Sequence, residues 1–419
     1  MILDKAFTPI QAKLEATRCL MCEDASCTCD CPAGVDARSF IRKIRFDNLD
    51  GAVRQLKQCN VLSASCAYIC PTGALCAKEC RAEGLSRPID IKGLQRFVCD
   101  YERKLGMIEP VCSKRDGPRV AVVGAGPAGL GCAAELAVRN YAVTLFERDS
   151  KAGGMLRQCI PLFRLPEEIL DFEEQFISKL GVEFNFESEI ADPKTLLNDG
   201  FEAVFIAAGV SKAKDMDVHG ANLSGVYLSL DLLKAVKRGD AIDLGKRTVV
   251  VGGGDTALDC ARIARAAGSE CLLLYRRTQK EMPAYKEEID AAWDEGVEFY
   301  FRTVVHGIAG TDKVDGVRCV RVRWHDKIVG MPQSYDVEGA QFQIACNSVI
   351  IAVGQKPSST FGLRSAPSGL IAVEKDTMMT SAPGVFAGGD IVDGGTTAAQ
   401  AVGMGKKAAV NIDRYLKAL

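Results

Sequence analysis

Residues 118–130 read PRVAVVGAGPAGL, and residues 142–149 read AVTLFERD. An apolar run that turns through glycines into a small-residue helix, followed by a second apolar run, has the texture of a strand–helix–strand unit. Gly124, Gly126 and Gly129 stand at the spacing of a dinucleotide fingerprint. The first allows the tight turn, the second lets backbone approach a pyrophosphate, and the third lets helix pack on strand. Ala125, Pro127 and Ala128 complete the loop, whose helix-terminal N–H groups can receive the pyrophosphate. The next strand ends in Glu147, 23 residues after Gly124, where a carboxylate can accept from ribose hydroxyls.

The pattern recurs 128 residues later. RTVVVGGGDTAL (247–258) places Gly252, Gly254 and Ala257 in a GxGxxA turn, with Asp255 and Thr256 opening the helix. The following strand, ECLLLYRR, ends in Arg276 and Arg277 rather than in an acid. A carboxylate there would repel the 2′-phosphate of NADP, whereas guanidinium groups bind phosphate bidentately, so NADPH is favoured over NADH. The alternative is an arginine pair that caps a strand on a solvated face. FEAVFIAAG (201–209) and NSVIIAVG (347–354) are apolar strands ending in small-residue turns, and they bracket this second unit as two crossings between domains. The expected organisation is therefore a discontinuous first nucleotide domain, 116–211 with 356–419, and a second domain, 212–355, inserted into it.

The first 115 residues have a different texture. Ten of the eighteen cysteines precede residue 81, and six lie beyond Cys112. Between the cysteine groups, Phe40, Ile41, Ile44, Leu49, Val53 and Leu56 recur at helical spacing, as do Ile91, Leu94, Val98 and Tyr101. A mostly helical domain built around metals is expected over 1–115. The cysteines run Cys19-x2-Cys22-x4-Cys27-x3-Cys31-Pro32, then Cys66-x3-Cys70-Pro71, then Cys76-x3-Cys80. Four thiols at this density followed by proline are ferredoxin-like. Zinc is the main alternative, but structural zinc favours paired Cys-x2-Cys knuckles and only Cys19 with Cys22 forms one.

Composition narrows the partners. A net charge of −2, 47% hydrophobic and 25% charged residues are those of an ordinary globular protein, with no basic excess for nucleic acid or an anionic membrane. The N-terminal segment is charged throughout and no segment approaches the about 18 apolar residues of a membrane span, so a cytoplasmic, non-membrane chain with reduced thiols is expected.

GAGPAG, Gly153-Gly154, IPLFRLP (160–166), GGGDTALD, YRRTQKEMPA (275–284) and AGGD (387–390) together resemble the glutamate synthase small subunit and dihydropyrimidine dehydrogenase flavoprotein family, over essentially the whole chain. The resemblance implies an α/β fold with two Rossmann-like domains in a glutathione-reductase-like FAD/NAD(P) pair, preceded by an α-helical iron–sulfur domain. It also implies FAD contacts at Gly153, Gly154, Met155, Arg164, Ile190, Gly389, Asp390, Thr396, Thr397 and Ala398, with Ala352, Val353 and Gly354 lining the nicotinamide site. In the pyrimidine branch one 4Fe-4S cluster would take Cys19, Cys22, Cys27 and Cys80. The other would take Cys31, Cys70, Cys76 and a glutamine, here Gln95 in GLQRF. Where relatives usually carry glycine before Ile-Pro, this chain has Cys159.

The resemblance further implies an electron-input subunit that oxidises NAD(P)H through FAD. Two clusters would pass the electrons to an FMN-containing partner that reduces uracil or thymine. Hydride transfer between stacked rings needs position rather than a general acid or base, so no catalytic side chain is assigned. Beyond Cys112 no Cys-x2-Cys or Cys-x4-Cys occurs, which leaves the clusters as the expected exit for electrons. The rival readings are a glutamate synthase small subunit, a subunit of another reductase or hydrogenase complex, and a non-enzymatic redox sensor.

Overall fold

A computed structural model of the chain describes residues 6–110, 116–325 and 334–419; Cys112 lies outside the described residues. The chain divides into two compact units. One comprises Ile2–Arg157, Leu162–Ser211 and Pro357–Leu419, and the other Gln158–Pro161 with Lys212–Lys356.

The first unit begins with helices. Pro9–Thr17 starts with a capping box between Thr8 and Gln11. Ala37–Arg45 and Leu49–Cys59 are capped by Asp36 and Asn48, and bury the Phe40, Ile41, Ile44, Val53 and Leu56 face that the periodicity marks. Ser63–Ile69 follows, and Ile91–Leu105 buries Ile91, Leu94 and Val98. A five-stranded parallel sheet then forms in the spatial order Val385–Ala387, Ala203–Ile206, Arg119–Val123, Ala142–Phe146, Glu183–Asn185. Ala203–Ile206 and residues 120–123 are buried on both faces, as their unbroken apolar runs require, while Ala142–Phe146 is half-buried at Ala142 and Thr144. Pro127–Val138 and the 20-residue Ala398–Lys417 pack together on one face, and Gly405 permits their contact: a Cβ there would stand 2.0 Å from the Ala128 carbonyl oxygen. One core joins this face to Ala33, Leu62 and Cys66, so cysteine-rich helices and sheet share their interior.

The second unit holds another five-stranded parallel sheet, ordered Val226–Leu228, Ser348–Ile351, Arg247–Val251, Glu270–Tyr275, Glu298–Phe301. Lys212–Ala213 and Gln355–Lys356 pair antiparallel where the chain enters and leaves. The segment between Glu298–Phe301 and Ser348–Ile351 forms a three-stranded antiparallel sheet, Thr303–Gly310, Val314–Trp324 and Tyr335–Ala345. No pattern singled out above announces that sheet. Its last strand is mostly exposed and carries Glu, Gln and Asp among its apolar residues, which blurs the alternation. Among the described residues no helix is long and apolar enough to cross a membrane.

Candidate cofactor sites

At the first glycine turn, Gly124 has φ 104° and a Cβ there would meet the Ala207 carbonyl oxygen at 2.6 Å. Only glycine suits both the conformation and the approach. Gly126 is the N-cap of Pro127–Val138 and offers no side-chain acceptor, so the first amides of that helix are open to an anion. Gly153 N–H donates to the Ala125 carbonyl at 2.9 Å, and a Cβ on Gly154 would stand 2.9 Å from Gly126 Cα. The Gly153-Gly154 segment, which Met155 continues into a short helix, thus folds back onto the turn. Glu147 is buried at the strand end, its carboxylate accepting from Ala125 N–H at 2.7 Å and Asp149 N–H at 3.1 Å. Burial raises its pKa, and the two backbone bonds oppose the rise.

Farther along the same unit, Gly389 precedes Asp390, whose Oδ1 accepts from Thr396 N–H at 3.0 Å and Oγ1 at 2.9 Å. Burial raises the Asp390 pKa, against the lowering pull of Thr396. Thr397 and Gln400 form a capping box at the start of Ala398–Lys417. Arg164 is half-buried and Ile190 packs against the core on the second face of the sheet. An open helix terminus, a glycine cradle and a buried carboxylate at the next strand end suit an adenine dinucleotide such as FAD.

The second turn repeats this geometry. Gly252 has φ 152° and a Cβ there would meet the Ala352 carbonyl oxygen at 2.3 Å. Gly254 is the N-cap of Asp255–Ala266, again without a side-chain cap. Asp255 accepts from Tyr285 N–H at 3.0 Å, and Thr256 Oγ1 from Gln355 Nε2 at 3.2 Å. Ala352 is buried, Val353 exposed, and Gly354 has φ 123°. Arg276 and Arg277 stand with guanidinium carbons 5.6 and 5.5 Å from the Trp324 ring centroid, within cation–π range, and Trp324 Nε1 donates to the Arg276 carbonyl at 2.5 Å. Arg276 is exposed, while Arg277 is half-buried beside the Tyr275 hydroxyl. Arg276 is therefore the guanidinium presented to solvent. Trp324 arrives from 48 residues along the chain, and nothing local to YRRTQKE signals it.

The cysteines separate into two groups. Cys19, Cys22, Cys27 and Cys80 line one pocket, closed by Arg38, Ile41, Ile89 and Ile91. Burial first, then the neighbouring thiols, raises Cys19 and pushes Cys27 up to about 11. Arg38 donates to the Cys22 and Glu23 carbonyls at 2.9 Å, and Ile89 N–H to Cys80 Sγ at 3.5 Å. In the other group, Cys76 is pushed up to about 12 by burial and then by Cys31 and Cys27. Burial likewise raises Cys31, with Cys66 adding to the rise. Gln95 is buried and donates through Nε2 to the Ser63 carbonyl at 2.6 Å.

Cys66, to which the sequence assigned no role, is buried among this second group. Asn60 Nδ2 donates to its sulfur at 3.3 Å, and its thiol is raised first by the neighbouring Cys70 and then by burial. The Cys66-x3-Cys70 spacing was its signal. Thiols crowded until they hold their protons suit a cationic metal group, whose binding releases those protons. Among the described residues no three His, Cys, Asp or Glu side chains converge closely enough to hold a single metal ion. Cys159 is buried, its thiol pushed up to about 12 by burial, and behaves as a small apolar residue.

Two parallel sheets with glycine-turn helices beside a cysteine-rich helical segment define a class: a flavin- and nicotinamide-dependent iron–sulfur oxidoreductase. The chain belongs to the pyridine nucleotide-disulphide oxidoreductase family, whose model matches residues 118–405. Residues 2–107 match the family described as dihydropyrimidine dehydrogenase domain II, 4Fe-4S cluster. Its cofactors are FAD, NAD(P)H and 4Fe-4S clusters. The NAD-dependent dihydropyrimidine dehydrogenase subunit PreT of Escherichia coli O157:H7 is 35% identical, over 99% of this chain and 97% of that protein. The NADPH glutamate synthase small chain of Azospirillum brasilense is 32% identical, over 98% and 90%. Among solved structures, Mycobacterium tuberculosis FprA in complex with NADPH superposes with a TM-score of 0.64 at 18% identity, over 72% of this chain and 85% of that one. It bears on the fold alone. Both sequence relatives are subunits or chains of larger enzymes by name, and this chain is an electron-transfer subunit like them.

Proposed function

We propose that the chain is the NAD(P)H-oxidising subunit of a dihydropyrimidine dehydrogenase, feeding an FMN-containing partner that reduces uracil or thymine. When bound, FAD takes a hydride as an electron pair, and iron–sulfur clusters carry electrons singly. The residues to hold FAD are the Gly124–Gly129 turn, Glu147, Gly153 to Met155, Arg164, Ile190, Gly389, Asp390 and Thr396 to Ala398. Those for the nicotinamide nucleotide are Gly252, Gly254 to Ala257, Arg276, Arg277 and Ala352 to Gly354, with NADPH favoured. One cluster would take Cys19, Cys22, Cys27 and Cys80, and the other Cys31, Cys70, Cys76 and Gln95, with Cys66 beside Cys70.

The observation that carries the reading is the junction at the Ala398–Lys417 helix. Gly403 stands so close to Pro32 that a Cβ would meet its carbonyl oxygen at 2.2 Å. Lys406 Nζ donates to the Ala33 carbonyl at 2.9 Å and the Cys59 carbonyl at 2.6 Å. The helix capped by Thr397, next to Asp390, therefore fixes the Cys31-Pro32-Ala33 segment, and Cys31 and Cys70 pack against the same core as the Pro127–Val138 helix. That supports an exit for electrons from the flavin side through the Cys31 set and on to the more exposed Cys19 set. The buried cysteines beyond Cys112 offer no accessible dithiol for exchange.

The test is co-purification with the natural partner, followed by assay of NAD(P)H-driven uracil and thymine reduction. The chain alone should reduce an artificial dye with NADPH or NADH, and the complex should convert the pyrimidines. A partner with a glutamine amidotransferase domain would overturn the pyrimidine reading, and failure of dye reduction would overturn the electron-input reading itself. PreT, a subunit of an NAD-dependent enzyme by name, points to NADH where Arg276 points to NADPH, and the ratio of the two rates decides.

A further inference from the structure

Glu173 lies on the Glu167–Lys179 helix and is 1% exposed. Its Oε1 accepts from the Ala64 and Ser65 N–H groups at 2.8 and 3.0 Å, and Ser65 Oγ donates to Oε2. These amides belong to the first turn of Ser63–Ile69, whose own N-cap residue, Leu62, has no side-chain acceptor. A carboxylate 108 residues away completes that helix. The helix in turn serves the second cysteine set at both ends. At its start the Ser63 carbonyl receives the Gln95 amide and so turns Gln95 Oε1 away from itself; at its end Cys70 is the C-cap residue.

Charged and titratable groups reach Glu173 from each element packed around it. They are Lys57 on Leu49–Cys59, Cys99 on Ile91–Leu105 and Cys66 on Ser63–Ile69, with Glu102 of Ile91–Leu105 linked to Glu173 through Lys57 and Cys99. Lys57 Nζ lies 3.6 Å from Glu102 Oε2 and sits over Phe172 and Phe176, neighbours of Glu173 on its own helix, at 5.2 and 4.5 Å from the ring centroids. Burial pushes the Glu173 carboxyl up to about 7, against the lowering pull of Lys57 and of the Ser65 and Ala64 bonds.

We propose that Glu173 is a positioning residue for the iron–sulfur group of the Cys31, Cys70, Cys76 and Gln95 set: it clamps the helix that presents Cys70 and orients Gln95, and its charge tunes that group's reduction. The proposal rests on the ligand reading above. Net charge around a cluster sets its potential. One added electron and one negative carboxylate oppose each other, so protonating Glu173 eases reduction and, reciprocally, reduction favours the proton. The potential of this group should then be higher at pH 6 than at pH 8, with the change centred near 7.

The experiment compares the holoprotein with Glu173→Gln by iron content, melting temperature, and redox titration followed by electron paramagnetic resonance at pH 6 and pH 8. A Gln95→Ala variant identifies the second-set signal. Glutamine keeps an acceptor for the two amides, and its NH2 can donate to Ser65 Oγ, so the clamp persists without the charge. The expected result is unchanged iron and an unchanged Cys19-set potential. The second-set potential at pH 8 should rise to the acid value and lose its pH dependence. A purely structural residue would lower the melting temperature and iron content without removing the pH dependence. An unaltered pH dependence in Glu173→Gln overturns the proposal. Should that variant not fold, Ser65→Ala, which removes one donor to the carboxylate, should move the transition to higher pH, and an unmoved transition overturns it equally. A wild-type protein lacking two cluster signals would instead sink the ligand reading.

Discussion

The two glycine turns of this chain meet the same packing problem and present opposite charges. In each, the first glycine lies against the carbonyl of a neighbouring strand's end, Ala207 for Gly124 and Ala352 for Gly252, and a glycine N-cap leaves helix amides open. They part at the third position. A Cβ on Gly129 would stand 1.9 Å from the Gly124 carbonyl oxygen, whereas the second turn accommodates Ala257, whose Cβ lies 3.1 Å from where a Gly252 Cβ would be. They part again at the next strand end, where Glu147 is buried on backbone amides and Arg276 is exposed against Trp324. The lesson is that the two turns share one backbone recess, while the strand ends beside them carry opposite charges.

The comparison breaks most severely at Gly129. Gly129→Ala forces a Cβ into backbone that cannot yield, so the purified variant should carry no FAD, read directly from its visible spectrum; a yellow protein with full flavin would refute the shared-recess argument. Gly252→Ala should spare the flavin and raise the KM for both nicotinamide nucleotides by roughly a hundredfold or more. Its collision, at 2.3 Å, is also with backbone. Steady-state dye reduction measures it. Arg276→Glu should act more selectively. Losing a charged hydrogen bond of about 1.5–3 kcal/mol raises the KM for NADPH roughly ten- to a hundredfold and leaves that for NADH near its starting value. Equal effects on both nucleotides would return Arg276 to the role of a surface cap.

Both strand–turn–helix units, the helix faces of the cysteine-rich part and the apolar strands were legible because each depends on neighbours within a few residues. Glycine at Gly124 reports a conformation, and alternation or helical spacing reports a buried face. The three-stranded sheet of residues 303–345 was not legible, since its edge strand is too polar to show a period. In the cofactor sites, the cysteine spacing ran Cys31 on from Cys27 and joined Cys80 to Cys76; the set that lines one pocket came from the family resemblance, and neither placed Cys66 beside Cys70. Trp324, Lys406 and Glu173 gave no local sign at all.

By itself, then, the sequence determined the turns, the open helix termini and the supply of thiols, all consequences of chain geometry over short spans. Only the tertiary structure decided which distant side chains finish each site: Trp324 behind the arginines, Lys406 on the carbonyls of Ala33 and Cys59, and Glu173 under the helix that leads to Cys70. A buried amide or carbonyl must find a partner somewhere, but chain topology alone determines which residue arrives to meet it.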